Sequence, residues 1–492
     1  MPDPNSNPLS ENTRHRGRGW WLPWIIAALS FAVLLPLYHR VATRRAEKFN
    51  SDTTLLDHFS GDIPTHVIFH HDQHAYLNLG RLLRVDGYDY IIPRHRMPGY
   101  PMLLSLLYRD ADAYQPTPGK EDPRKISDAF FQRAKTFNIW LSMGCIAAIF
   151  LFLACYLPVM ESLLAAWSIG WLLFVFKACF VQPEVLFDTL ALFVVVLMWR
   201  QIARPTWRNG LIAGVALAAT YFIKSALLPL IALYVVCQAV VISWRALLSI
   251  REGGGGAWRR FCVETAQAAL IPVLWLILLS PYLYQTWKLH GSPFWSVHSA
   301  HYFWLETPED KETWRGLAEL AMEGKVPPDA PTRATYFAGH TPRQIAERFL
   351  HGAMHTIESI KHDYNETDRF VFRRLAKACL VILVLFLFPI FRAARRHWPE
   401  LLFLFGYLFG YALLYGWYEP IHAGSRFMLS LYPAAIALML WFLARHADSI
   451  PLRRWSLQIH TRPIVLFALS ISLIASISKV AGTLAWKIEG GN

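Results

Sequence analysis

The chain has 492 residues, 54% of them hydrophobic and 14% aromatic, and its 48 lysines and arginines outnumber 35 acidic groups to give a formal charge of +13. So apolar a chain excludes an ordinary soluble protein of several domains and predicts an all-α protein that crosses a membrane many times. The positive charge does not imply nucleic acid, because basic residues flanking apolar runs follow from the positive-inside rule and no nucleic-acid motif accompanies them; the excess suits topology and anionic lipid head groups.

Residues 1–19 form a polar cytoplasmic tail in which Arg14, Arg16 and Arg18 precede the apolar run 20–38. That run is long enough for a first transmembrane helix and has no small-residue cleavage site, so it reads as retained. The preceding arginines hold the N-terminus inside, which makes residues 39–137 a first extracytoplasmic loop. Within it lies the densest chemistry of the chain, HHDQHAYLNLGRLLRVDGYDYIIPRHRMPGYP, from His70 to Pro101. Ala75, Tyr76, Leu79, Leu82 and Leu83 recur at helical spacing behind Asp72, which falls where an N-cap belongs. Asp86 and Asp89 flank Gly87 as turn residues. Arg94, His95 and Arg96 form a basic cluster between Pro93 and Pro98, suited to an anion, and Pro101 opens a short apolar helix able to lie on the membrane surface. His70, His71 and His74 with Asp72 have the chemistry of a divalent-cation site; polar loop residues are the other reading.

Apolar runs at 138–157, 162–178, 183–199, 209–244 and 263–286 follow, the fourth long enough for a hairpin that turns at Lys224-Ser225. These make transmembrane helices 2–7, within 138–286. A second extracytoplasmic loop, 287–373, precedes helices 8–11 in 374–492, with runs at 375–391, 399–418, 427–444 and 463–485. The total is eleven spans. The inner loops 200–208, 245–260, 392–396 and 445–462 are basic, whereas the connection 158–161 carries no basic residue. The glycines at 253–256 make a flexible linker, since neither a strand nor the Lys-Ser/Thr of a P-loop accompanies them. All six cysteines lie in or beside apolar runs without CxxC spacing and read as buried apolar residues.

Isolated ionisable groups stand at the outer mouths of these runs: Glu184 after Pro183, Lys224, and His422 and Arg426 in EPIHAGSRF. Charge at the edge of an apolar run is costly unless paired or hydrated, which marks Glu184 and Arg426 as functional candidates. Lys224 has two readings, function or snorkelling to the interface. Trp295, Tyr302, Phe303 and Trp304 have faces for a sugar, and the aromatic belt of a membrane interface is the alternative.

HHDQHAYLNLGRLL followed by RMPGYP, then QPEVLFDTLALF, ATYFIKSALLPL, HGSPFWSVHSAHYFW and HAGSRFMLSLYP, in that order, resembles the GT-C membrane glycosyltransferases. That group includes protein O-mannosyltransferases and lipid A aminoarabinose transferases. The resemblance touches most of the chain, although each motif is short. Gln73 stands where the family often has a second acid, and Ser225 replaces its hairpin glycine. The resemblance implies transfer of a sugar from a polyprenyl-phosphate donor to a lipid, glycan or protein acceptor, outside an inner or cell membrane. Asp72 would be the general base; Tyr76, His74, Arg94, His95, Arg96, Glu184, Lys224, His422 and Arg426 would bind substrate. It requires no organic cofactor and leaves a divalent cation open. A rival from another class is a transporter or flippase of lipid-linked sugars, which predicts broken helices in matched halves.

Overall fold

The computed structural model describes residues 21–51, 71–87, 96–113, 126–252, 256–314, 317–322, 324–362, 397–418, 429–446, 450–452, 457–459 and 461–489. They are helical apart from one small hairpin, and eight helices are long and apolar enough to cross a membrane.

Helix α1 runs Leu22–Ser51 and α4 runs Asp128–Ala154, with α2 (His71–Val85) and α3 (Gly99–Ser105) between them. Both long helices continue past their apolar runs into polar residues of the segment 39–137. The added residues are good helix formers, including Ala, Arg, Glu and Lys. They also pack. Lys135 donates to the Ala46 carbonyl at 3.3 Å and lies 4.4 Å from the Phe131 ring, while Tyr38 donates to Ser142 at 3.0 Å. Ser127 caps α4 by accepting from the Phe130 N–H.

Helix α5 (Val159–Ile169) passes into a wider π-turn at Gly170–Phe174, where Gly170 leaves room for Ile146 of α4. Its start corrects the expected connection at 158–161. Pro158 is the cap, and Glu161 is already helical and fully buried. Then come α6 (Glu184–Ala203), α7 (Trp207–Ile223), α8 (Leu228–Arg251) and α9 (Ala257–His290), the last ended by Gly291 in the left-handed region. Helices α7 and α8 are joined at the expected turn: Lys224 is extended, and Ser225–Leu227 make one tight turn before α8 begins, but both helices pack on α9 rather than closely on each other.

Short helical turns fill residues 297–339. Helices α10 (Pro342–His362), α11 (Trp398–Trp417), α12 (Tyr432–His446) and α13 (Thr461–Glu489) complete the described chain. Helices α10 and α11 cross backbone to backbone at Gly352 and Gly416, where a Cβ on either would clash with the other helix. Between α12 and α13, β1 (Ile450–Leu452) and β2 (Leu457–Ile459) pair antiparallel, with Ile450 opposite Ile459. This hairpin departs from an all-α expectation; its strands are rich in the branched apolar residues that suit a pleated pair. Of the eleven expected spans, α7 and α12 are helices of 17 and 15 residues, and the run 375–391 lies outside the described residues.

The bundle has two chemically different ends. At one, Arg200 lies 4.4 Å from the Tyr156 ring, Arg245 donates to the carbonyls of Ile202 and Ala203 at 3.0 Å, and Arg245 pairs with Glu264 at 3.3 Å. Arg462 reaches the buried Glu161 there at 2.6 Å, tying α13 to α5. These residues belong to basic segments that the sequence assigns to inner loops. Removing one partner of such a pair strands a charge, a loss of about 3 kcal/mol. Arg462→Gln should therefore lower the unfolding temperature in detergent. The double variant Glu161→Gln/Arg462→Gln should recover most of the loss.

Candidate functional site

The opposite end is where α2 and α3 dock. Helix α2 is amphipathic as the sequence predicts, with Tyr76, Leu79 and Leu83 buried. Asp72 is its second residue rather than its cap, and the cap position, residue 70, lies outside the described residues. A carboxylate in the first turn serves the helix dipole much as a cap would. Tight contacts hold the two short helices. A Cβ on Gly80 would stand 2.9 Å from Leu104, and one on Gly99 would stand 2.7 Å from the Phe222 carbonyl, two residues before Lys224.

Hydrogen bonds fix this end more firmly than apolar packing. The buried Gln73 accepts from the Val181 N–H at 2.7 Å, so the residue beside Asp72 is tied to the turn that leads into Glu184. Asn138 of α4 donates to the carbonyls of Phe180 and Ala178 at 2.5 and 3.2 Å. It also accepts from the Tyr100 hydroxyl at 3.2 Å. Tyr100 meets the Tyr76 ring edge-on at 5.5 Å. Burial, reinforced by the charge of Glu184 and by Tyr76, holds its hydroxyl well above the usual tyrosine range, so it remains a neutral donor.

Four of the expected site residues meet here. Lys224 Nζ lies 3.8 Å from Glu184 Oε1 and 5.3 Å from the Phe187 ring. Arg96 sits 5.8 Å from the Tyr76 ring and donates to His298 Nε2 at 3.2 Å, joining the first loop to the second. The Lys224–Glu184 distance exceeds that of a good charge-assisted hydrogen bond. Lys224 is the more open partner, at 22% side-chain exposure against 10%. Asp72 and His74 are described as helical backbone only, and Arg94, His95, His422 and Arg426 lie outside the described residues. Among the described residues no three histidines, cysteines, aspartates or glutamates cluster as a metal would need. The histidine site conceived around His70, His71 and His74 falls on side chains outside that set.

The second-loop aromatics serve the protein itself. Trp295 stacks on His290 at 3.6 Å, and Phe303 stacks on Trp417 at 5.2 Å with Trp304 edge-on to the same indole. Trp417 donates to the Phe303 carbonyl, and Arg348 covers its ring at 4.1 Å while donating to the Leu305 carbonyl at 2.6 Å. The Trp417 ring is thereby enclosed, while Trp295, Tyr302, Phe303 and Trp304 remain half-buried. The cluster pins the second loop to the end of α11.

Several residues here carry no obvious sequence signal. Gln73, Tyr100, Asn138 and His298 look ordinary until the fold joins them. Asp188 does have one: it stands one turn after Glu184 and so shares its face of α6. It is 3% exposed, and the charges that reach it are those of Lys224, Glu184 and Lys177.

Fold and site together define a helical membrane protein with buried, mixed charge under two docked loops at one end. No protein-family model and no curated protein matches its sequence.

The Gln73 tie gives a direct test of how α2 is held. Gln73→Leu leaves the Val181 N–H without its acceptor, at a cost of about 1–3 kcal/mol. Amide hydrogen exchange should speed up across 71–85 and 178–183 while the basic end of the bundle is unchanged.

Proposed function

We propose that the protein is an integral membrane glycosyltransferase of the GT-C type, with eleven spans, moving a sugar from a polyprenyl-phosphate donor to an acceptor at the extracytoplasmic face. The observation that carries this reading is the convergence of Tyr76, Arg96, Glu184 and Lys224 at the end where the helix bearing Asp72 is anchored. Breaking a sugar–phosphate bond leaves a lipid phosphate whose growing charge needs cations, and Arg96 and Lys224 supply two beside the interface. Arg94 and Arg426 extend this basic set, with His95 and His422 as polar contacts. The acceptor hydroxyl loses its proton as it attacks; Asp72 is the base for it, with His74 and Tyr76 on the same helix binding substrate.

A flippase of lipid-linked sugars would also use many spans and interfacial cations. The gathering of the ionisable groups at one end, beneath two fixed loops, favours an enzyme. The basic loops at the opposite end suit a cytoplasmic orientation for that end.

Asp72→Asn keeps the size of the side chain and, by loss of charge in the first turn, costs the helix about 0.3–1 kcal/mol. With purified lipid donor in detergent, turnover should fall roughly 10²–10⁴-fold. A variant transferring sugar near the wild-type rate would remove Asp72 from the chemistry.

Orientation is checked with single cysteines at Ala111 and Lys325, both exposed. Asp112 is unsuitable because it is buried against Arg133. Membrane-impermeant reagents should label both positions in intact cells, and protection of both would turn the site inward.

A further inference from the structure

Among the described residues at this end, Asp188 is a group for which neither packing nor the chemistry above has a use. It lies on α6 one turn deeper than Glu184, inside the bundle, and it is among the most buried polar residues of the chain at 3% exposure. Its Oδ1 has no hydrogen-bond partner among the described residues. Lys224 is near enough for its charge to be felt, but its Nζ is directed to Glu184 at 3.8 Å. Tyr407 and Tyr415 of α11 also lie within reach of the Asp188 charge, and the Tyr415 hydroxyl is engaged with Ser430 at 3.2 Å. Tyr411, one turn from each, donates to the Ala226 carbonyl and accepts from the Leu230 N–H. Of the donors around Asp188, the hydroxyls of Tyr411 and Tyr415 are thus engaged elsewhere, and Lys224 faces Glu184.

A buried carboxylate oxygen without a donor is retained against a large desolvation cost, and an apolar side chain of similar size would serve the packing better. The oxygen is satisfied only when something brings a donor. The carboxylates of Asp188 and Glu184 offset the charges of Lys224 and Lys177 that reach this point, so it has no surplus of positive charge for a phosphate, unlike the Arg96 side of the site. Hydroxyl groups fit: they are neutral, they donate, and Tyr407 and Tyr415 lie near.

We infer that Asp188 is a further substrate-binding residue, its carboxylate accepting hydrogen bonds from hydroxyls of the sugar carried by the lipid donor. This rests on the glycosyltransferase reading. It divides that site into a basic part for the phosphate, at Arg96 and Lys224, and a part for the sugar, at the Asp188 carboxylate.

The test is native mass spectrometry of the purified full chain with two probes. One is undecaprenyl phosphate without sugar; the other is the sugar-bearing polyprenyl-phosphate fraction from membranes of the source cell. Wild type should retain both and prefer the sugar-bearing lipid. Asp188→Asn should lose that preference by about tenfold or more, the worth of a hydrogen bond to a charged group, and still hold the sugar-free lipid. It should also unfold at or above the wild-type temperature, since it relieves a buried charge. Asp188→Leu gives the same reading with an apolar replacement should the Asn variant fold poorly. Wild-type selectivity in a folded variant overturns the role of Asp188 alone. A wild-type protein that holds neither lipid overturns the glycosyltransferase reading, and the inference with it.

Discussion

The break between α7 and α8 at Lys224 is the constraint on which the working end depends. An uninterrupted apolar hairpin would leave nothing polar at this depth. The break instead exposes an extended lysine, and the only way to keep an ammonium there is to give it a carboxylate and an aromatic face. Glu184 and Phe187 provide both from the first turn of α6. The neighbouring contacts follow from holding that arrangement in register: Gly99 abuts Phe222, Gln73 ties α2 to Val181, and Asn138 binds the carbonyls of Ala178 and Phe180. The two ends of the bundle thus differ in kind. One pairs arginines with acids and carbonyls to lock helices together, as in Arg462 with Glu161. The other sets Lys224 beside Glu184 and Arg96 beside His298, joining the two loops to the bundle.

Much of this was legible in the sequence because the signals are local. Apolar runs of about 20 residues identify spans, the Lys-Ser interruption gives the turn between α7 and α8, and the period of Tyr76, Leu79 and Leu83 gives the buried face of α2. Boundaries were less legible. Helices α1 and α4 run on through polar residues because Lys135 and Ala46 meet across them, a contact that no hydropathy window contains. The strand pair at Ile450 and Ile459 is too short to stand out from an inner loop. Among site residues, Tyr76, Arg96, Glu184 and Lys224 are recognisable by charge or aromaticity in an unusual place. Gln73, Asn138 and His298 are common residue types whose importance comes from long-range partners. The second-loop aromatics are partly engaged within the protein, Phe303 stacked on Trp417 and Trp295 on His290, which their number in the sequence does not show.

On the proposed reading, the arrangement would separate two tasks that a lipid-linked sugar imposes. A phosphate needs cations near the interface, where a long lipid tail can remain in the hydrocarbon; a sugar needs acceptors and rings in a drier place. Arg96 and Lys224 suit the first, and Asp188 beside the tyrosines of α11 suits the second. Loops joined by the Arg96–His298 contact would close over both.

The central claim is that the protein cleaves a lipid-linked sugar rather than moving it, and reconstituted vesicles test it most directly. Purified protein in liposomes that carry a polyprenyl-phosphate sugar is followed both for release of sugar-free polyprenyl phosphate and for movement of intact lipid between leaflets. Our account predicts release, dependent on added acceptor and without faster movement between leaflets. Rapid movement of the intact lipid with no cleavage would contradict it.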